Sequence, residues 1–332
     1  MIICFLAFLF APSVYAVNFS LQPIIPENQR GGQQGYFDIV LAPGSTQELE
    51  IKLRNTSNKN KTFRLYIARA TTDDGGVVAY HPRAEMVAEE DSYFDIDEVL
   101  SLSTEIVEMS PQEEVSVILT VHMPEKILPG ILAAGFSVME VVGQGDSTLM
   151  QQDYQVENEY MLSLAILLRQ NETELSTDLV LNEVKATQID GRNSISANLQ
   201  NITPAFVNQM VVGAKIYAEG KDSVVFERNS HSLQMAPHSD FNFHIPLAGQ
   251  SFEPGLYFLH LEVEASSGNW SFEREFTITA KQAKQLNDSD VSIPSPSYHT
   301  AIRIGFLLLL AVLILIVYLC YRRLGLFSIT EE

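Results

Sequence analysis

Seven histidines, His81, His122, His231, His238, His244, His260 and His299, are the first residues to ask for chemistry, because neutral imidazoles bind metals and relay protons. They form no His-Glu-x-x-His run, and no two stand at ligand spacing on one strand, so no metal centre is read from them. The nucleophile inventory is as bare. Gly-x-Ser-x-Gly is absent, Cys4 and Cys320 lie in apolar end segments, and no glycine-rich loop opens a helix to cradle phosphate. The densest acidic stretch, Glu89-Glu90-Asp91 followed by Asp95, Asp97 and Glu98, offers hard oxygen donors of the kind calcium takes. Phe94 and Ile96 interleave those carboxylates and no glycine supplies the tight turn of a calcium loop, which favours a solvated acidic loop. The expected catalytic, metal and cofactor sets are therefore empty, and the chain reads as a binding protein.

Charge narrows what it binds. The 332 residues carry 41 acidic against 21 basic side chains, a net charge of −20. A polyphosphate or an anionic lipid surface repels such a chain, so nucleic acid is excluded and the partners are proteins or uncharged polymers. Two cysteines exclude a disulfide scaffold, which leaves packed cores as the source of stability.

The ends point outside the cell. Ile2 to Phe10 is apolar and Val14-Tyr15-Ala16 presents small residues before Val17, so residues 1–16 are expected to be a secretory signal, although no Lys or Arg precedes the apolar run. Ile304 to Tyr321 is eighteen residues without a formal charge, roughly 27 Å of helix at about 1.5 Å per residue. A membrane-spanning helix is expected over 301–321, with Arg322 and Arg323 opening a cytoplasmic tail, 322–332, and a Ser/Pro-rich juxtamembrane linker over 281–300. The tail's two arginines cancel Glu331 and Glu332, so the whole net charge falls on the part outside.

Between those ends the hydrophobic period is two. Leu49, Ile51 and Leu53 alternate with Glu48, Glu50, Lys52 and Arg54, and Phe63, Leu65 and Ile67 repeat the pattern. Further strands are expected over Val115–Val121, Phe136–Val142, Tyr160–Leu168, Ile195–Leu199, Val211–Tyr217, Phe241–Ile245, Tyr257–Val263 and Trp270–Ile278. Pro-Gly and Asp-Gly turns such as Leu128-Pro129-Gly130 punctuate them. The fold class is all-β: two tandem immunoglobulin-like β-sandwich domains plus one C-terminal transmembrane helix. A small-residue break at Gly143 to Thr148 sets the expected boundaries at 17–142, a linker over 143–157, and 158–280, with no convincing internal repeat. Trp270, the only tryptophan, shares one strand face with Phe272, Phe276 and Ile278, which reads as core packing; a sugar platform is the other use of such a ring. Seven Asn-x-Ser/Thr triplets, among them Asn55 and Asn201, would mark glycans in a eukaryotic secreted chain and carry no meaning in a bacterium.

Several ordered segments carry a family likeness. Asn18-Phe19-Ser20-Leu21-Gln22-Pro23-Ile24-Ile25-Pro26-Glu27-Asn28-Gln29, Gly35-Tyr36-Phe37-Asp38 and Leu53-Arg54-Asn55-Thr56-Ser57 resemble the first domain of the WxL-interacting proteins of Gram-positive bacteria. Leu199-Gln200-Asn201, Met235-Ala236-Pro237-His238, Pro254-Gly255-Leu256-Tyr257 and Trp270-Ser271-Phe272 are similar to the second. Ala133-Ala134-Gly135 departs from a Gly-Gly-Ile step frequent in that family. The resemblance implies a membrane-anchored surface scaffold that binds peptidoglycan through its first domain and secreted WxL-domain proteins as partners, with a host matrix protein as the alternative ligand. It transfers no residue-level motif. Pro26, Glu27, Asn28 and Gln29 are the candidate ligand-binding residues, since amide and carboxylate groups after a strand can bond a glycan or a stem peptide, or else serve a turn or edge contact within the domain.

Overall fold

The computed structural model describes residues 18–32, 34–82, 94–141, 160–173, 175–293 and 298–323. The expected signal, Glu89 to Asp91, the whole of the 143–157 linker and residues 324–332 lie outside them.

The first half is built from β1 (Phe19–Ile24), β2 (Phe37–Val40), β3 (Thr46–Asn55), β4 (Lys61–Arg69), β5 (Thr71–Thr72) and β6 (Val78–Ala79), then the one-turn α1 (Ile96–Val99). It continues through β7 (Leu100–Leu102), β8 (Ile106–Met109), β9 (Glu114–His122), β10 (Leu132–Glu140) and β11 (Met161–Arg169). Two sheets, ordered β1-β3-β9-β7 and β2-β11-β10-β4-β8, enclose one core. The alternation read in β3 is what folds it. Leu49, Ile51 and Leu53 are buried against Phe63, Leu119 and Phe136, while the intervening charged residues face water. Asp95 caps α1, its carboxylate accepting from the Asp97 amide at 3.0 Å.

The second half comprises β12 (Leu179–Ile189), β13 (Arg192–Asn201), β14 (Val207–Ala218), β15 (Val224–Met235), β16 (Ser239–Pro246), β17 (Gly255–Ala265) and β18 (Gly268–Ile278), followed by α2 (Ala280–Ser289) and α3 (Tyr298–Arg323). Its sheets run β12-β13-β16 and β15-β14-β17-β18 over a separate core. The order repeats the first half strand for strand: β1-β3-β9 matches β12-β13-β16, and β8-β4-β10-β11 matches β15-β14-β17-β18. Trp270 and Phe272 pack against this core as half-buried side chains.

Two segments take up other structure than expected. The strand over Tyr160–Leu168, expected to open the second sandwich, is β11, which pairs antiparallel with β10 and parallel with β2 and so closes the first. Its run of apolar side chains suits a central strand buried on both faces, a place only the first half's five-stranded sheet supplies. Residues 281–289, expected as linker, belong to α2 (Ala280–Ser289). Thr279 and Gln282 make a reciprocal capping box, and Ala283 is buried against the second core.

In α3 the described side chains, Ile302 and those from Ile304 to Cys320, are exposed. Among the described residues no helix is long and apolar enough to cross a membrane.

The halves clasp each other. Ile131 donates to the Pro204 carbonyl at 2.8 Å and Gln234 to that of Gly76 at 2.8 Å. Thr72 Oγ1 accepts from the Ala236 amide at 3.0 Å and meets Ser239 Oγ at 2.5 Å, while Asp74 reaches the Asn242 amide at 3.0 Å and His244 Nε2 at 3.2 Å. A small apolar cluster of Ala70, Ile131, Ala133, Leu167 and Ala236 fills the space between.

Candidate cleft between the two sandwiches

The candidate residues of the β1–β2 loop make a turn that the side chains of Asn28 and Gln29 hold in place. The Gln29 amide donates to the Pro26 carbonyl at 3.2 Å, and the Gln29 side chain copies a strand partner, donating to Tyr36 O at 3.2 Å and accepting from Asp38 N at 3.0 Å. Asn28 exchanges two amide hydrogen bonds with Gln47, at 2.9 and 3.1 Å. Asn28 and Gln29 line an open cavity of 520 Å³, together with Arg30, Gln34, Asp38 and Glu172; Pro26 and Glu27 are not among its lining residues.

That cavity runs into a larger one, of 760 Å³, between the sandwiches; Arg30, Asp38 and Glu172 line both. β2 explains the junction. Its parallel register sets Asp38 beside Leu167, so that Arg169, two residues on, forks onto the Asp38 carboxylate at 3.0 and 3.2 Å. Arg30 stands near the same carboxylate at 3.6 Å and near Glu172 at 3.4 Å. Two cations and two anions thus balance at one end of the space.

Its aromatic wall has a backbone cause. The chain after β6 crosses the outer face of β10 at Gly135, where a Cβ would lie 1.9 Å from the Tyr80 carbonyl oxygen. Only glycine admits that approach, and Ser137 Oγ donates to the same oxygen at 2.9 Å. Tyr80 is thereby presented beside Tyr36; burial, and secondarily Tyr36, push its phenol up to about 12, so it remains a neutral donor. The opposite wall comes from the second half, with Phe206, Asn208, Gln234, Ser266 and Ser267. Sequence reading reached the β1–β2 loop and missed this wall, because the residues that form it are brought together only by the clasp.

A second hollow, of 620 Å³, lies on the outer face of β14, β17 and β18. Phe258, 40% exposed, stands there beside Tyr217, and His260 lies 3.2 Å from Glu262 and 3.7 Å from Glu273. Among the described residues no group of three or more metal-ligating side chains converges.

The family model for the peptidoglycan binding domain of WxL Interacting Protein matches residues 19–140, and that for its host binding domain matches 151–288. No curated protein matches the chain. Among solved structures the chain is similar to the YadV chaperone, at 11% identity and a TM-score of 0.32, over 79% of this chain and 100% of that one. It is similar also to a complex of the Salmonella enterica SafA pilin with the SafB chaperone, at 9% identity and 0.33, over 80% and 99%. The E. coli chaperone DraB stands at 12% and 0.30, over 79% and 98%.

Proposed function

The chain belongs to the WxL-interacting protein family, and on that premise we propose that it is a non-enzymatic, membrane-anchored scaffold of the cell surface, binding peptidoglycan with its first half and a secreted WxL-domain protein with its second. The cleft is the observation that carries the first part. Amides, hydroxyls and tyrosine faces around a charge-balanced floor suit a polar, largely uncharged glycan better than an anionic polymer, which the net charge of −20 repels. Anchorage through α3 is supported by its apolar side chains from Ile304 to Leu319, which stand exposed with no protein surface over them. The signal at 1–16 and the two arginines after the span support an ectodomain in the cell-wall space and a short cytoplasmic tail.

Co-sedimentation with purified peptidoglycan and pull-down with a WxL-domain protein test the reading. Retention by both is expected, and retention by neither overturns it. A host-matrix adhesin is the second reading, favoured by the hollow at Phe258 within the region matched by the host binding domain. A Phe258→Ser variant that loses a matrix protein while keeping the WxL partner would select it.

A further inference from the structure

We propose that the two sandwiches share one glycan site: a segment of N-acetylated hexosamine chain lies in the 760 Å³ cavity, held by Tyr36 and Tyr80 of the first half and by Phe206, Asn208 and Gln234 of the second. This rests on the peptidoglycan reading and deepens it, because the matched families place peptidoglycan binding in residues 19–140 alone.

The volume falls in the range of roughly 300–1,000 Å³ usual for ligand sites. Sugar rings have apolar C–H faces and equatorial polar rims, and the cavity offers both counterparts: aromatic side chains on opposite walls, with amides and hydroxyls between. Gln234 Nε2 donates to Asn208 Oδ1, which leaves Asn208 Nδ2 as a donor and Gln234 Oε1 as an acceptor, the complement of an acetamido group's C=O and N–H. Ser267 Oγ accepts from Thr177 Oγ1 at 2.7 Å and retains its own proton for a ring hydroxyl. At the other end Arg30 holds its two carboxylates only at 3.4 and 3.6 Å and is 36% exposed, so a stem-peptide carboxylate can take its place among them. Because the clasp positions the second wall, glycan binding also draws the halves together.

A reporter is built in. Trp270 Nε1 donates to Asp178 Oδ1 at 3.2 Å, next in sequence to Thr177 of the cavity wall, and the indole lies over the Ser267–Gly268 turn. The full chain, kept in mild detergent, is titrated by tryptophan fluorescence with an N-acetylglucosamine tetrasaccharide and with a muropeptide, and sedimented with purified peptidoglycan. Asn208→Ala and Ser267→Leu change exposed residues outside the cores, and each should weaken tetrasaccharide binding at least tenfold with an unchanged melting temperature. Phe258→Ser, on the far sheet face, should leave it unchanged. If the wild type binds peptidoglycan but both variants bind as tightly, the shared site is wrong and the first half binds alone. Binding of the muropeptide without any binding of the tetrasaccharide overturns the glycan assignment. Failure of the wild type to bind peptidoglycan removes the underlying reading itself.

Discussion

Each sandwich holds the same asparagine-centred turn and uses it differently. In the first, Asn55 ends β3; its Nδ2 donates to Lys59 O at 2.8 Å and Ser110 O at 2.9 Å, and its Oδ1 accepts from the Ser57 amide and hydroxyl at 2.9 and 2.7 Å. In the second, Asn201 ends β13 and repeats the set with Ala205 O and Ala236 O, both at 2.8 Å, and with Thr203 at 3.0 and 2.7 Å. Even the backbone echoes, since Gln112 and His238, each following a proline, take φ values of 62° and 47°. The surroundings separate them. Ser110 faces solvent and its turn is closed by Gln112 from the same half, whereas Ala236 is fully buried beneath Thr72 of the other half.

The difference is written in chain length. Asn55 and Ser110 are 55 residues apart, against 35 for Asn201 and Ala236, and the surplus in the first half contains β5, β6 and α1. β5 and β6 reach over and cover the second half's turn. β2, which also lacks a counterpart in the second half, carries Asp38 and frames the cleft. A repeated sandwich thus becomes a directional pair through what is added to one copy, and both additions meet at the candidate site.

Removing the turn's anchor tests that contrast most strongly. Asn201→Ala strands the buried Ala236 carbonyl where water cannot follow, along with the half-buried Ala205 carbonyl and Thr203 amide, and should cost about 4 kcal/mol at roughly 1–3 kcal/mol per unsatisfied buried group. Asn55→Ala should cost about 2 kcal/mol, because solvent reaches the exposed Ser110 and Lys59. Chemical unfolding of both variants decides it, and equal losses would show that the covered turn gains nothing from its cover.

A glycine pair sharpens the same comparison with a smaller effect. Gly44 and Gly130 have nearly the same φ, 72° and 73°, but a Cβ at Gly44 would meet only Glu125 Cγ at 3.4 Å, whereas at Gly130 it would stand 2.2 Å from the Pro204 carbonyl oxygen across the interface. Gly44→Ala should therefore cost about 1 kcal/mol, the left-handed strain alone, and Gly130→Ala about 3 kcal/mol. Faster hydrogen exchange at Ile131, whose amide bonds that oxygen, should appear only in the second variant.

Much of this was legible in advance. The inward residues of β3, β9, β16 and β17 are those their alternation predicts, because a half-buried strand has no freedom but its period. Asn55 and Asn201 were legible only as glycosylation triplets; buried and fully bonded, they show that the i+2 hydroxyl is there to bond the asparagine carbonyl oxygen. The repeat Leu-x-Asn-x-Ser/Thr followed by Met-x-Pro, at Leu53 and Met109 and again at Leu199 and Met235, was hidden by the unequal spacing. Of the site, sequence reached Asn28 and Gln29, which line the smaller adjoining cavity. Tyr80 and Phe206 carry no local signal, since their meeting depends on Gly135 admitting one backbone across another.

The smallest expected effect concerns the element that the second half alone possesses. α2 ends at Asp290, buried at 5% exposure, whose carboxylate accepts from the Asn193 amide at 2.7 Å and from the Ser292 amide and hydroxyl at 2.7 and 2.5 Å. Burial pushes this carboxyl up, but the bonds from Ser292, Asn193 and Ile293 outweigh it and hold the group below its ordinary value of 3.8. A carboxyl depressed on folding lends stability that is fully present above that ordinary value and is lost as pH falls through the folded one. Asp290→Asn keeps an acceptor but removes the charge, which should cost about 1 kcal/mol at neutral pH. Melting temperatures of wild type and variant should therefore differ at pH 6 and converge as the pH is lowered past 3.8. A gap that persists unchanged into acid would mean that α2 is held by Ala283 and Asn287 alone, and that the second half's extra helix rests on packing and neutral hydrogen bonds.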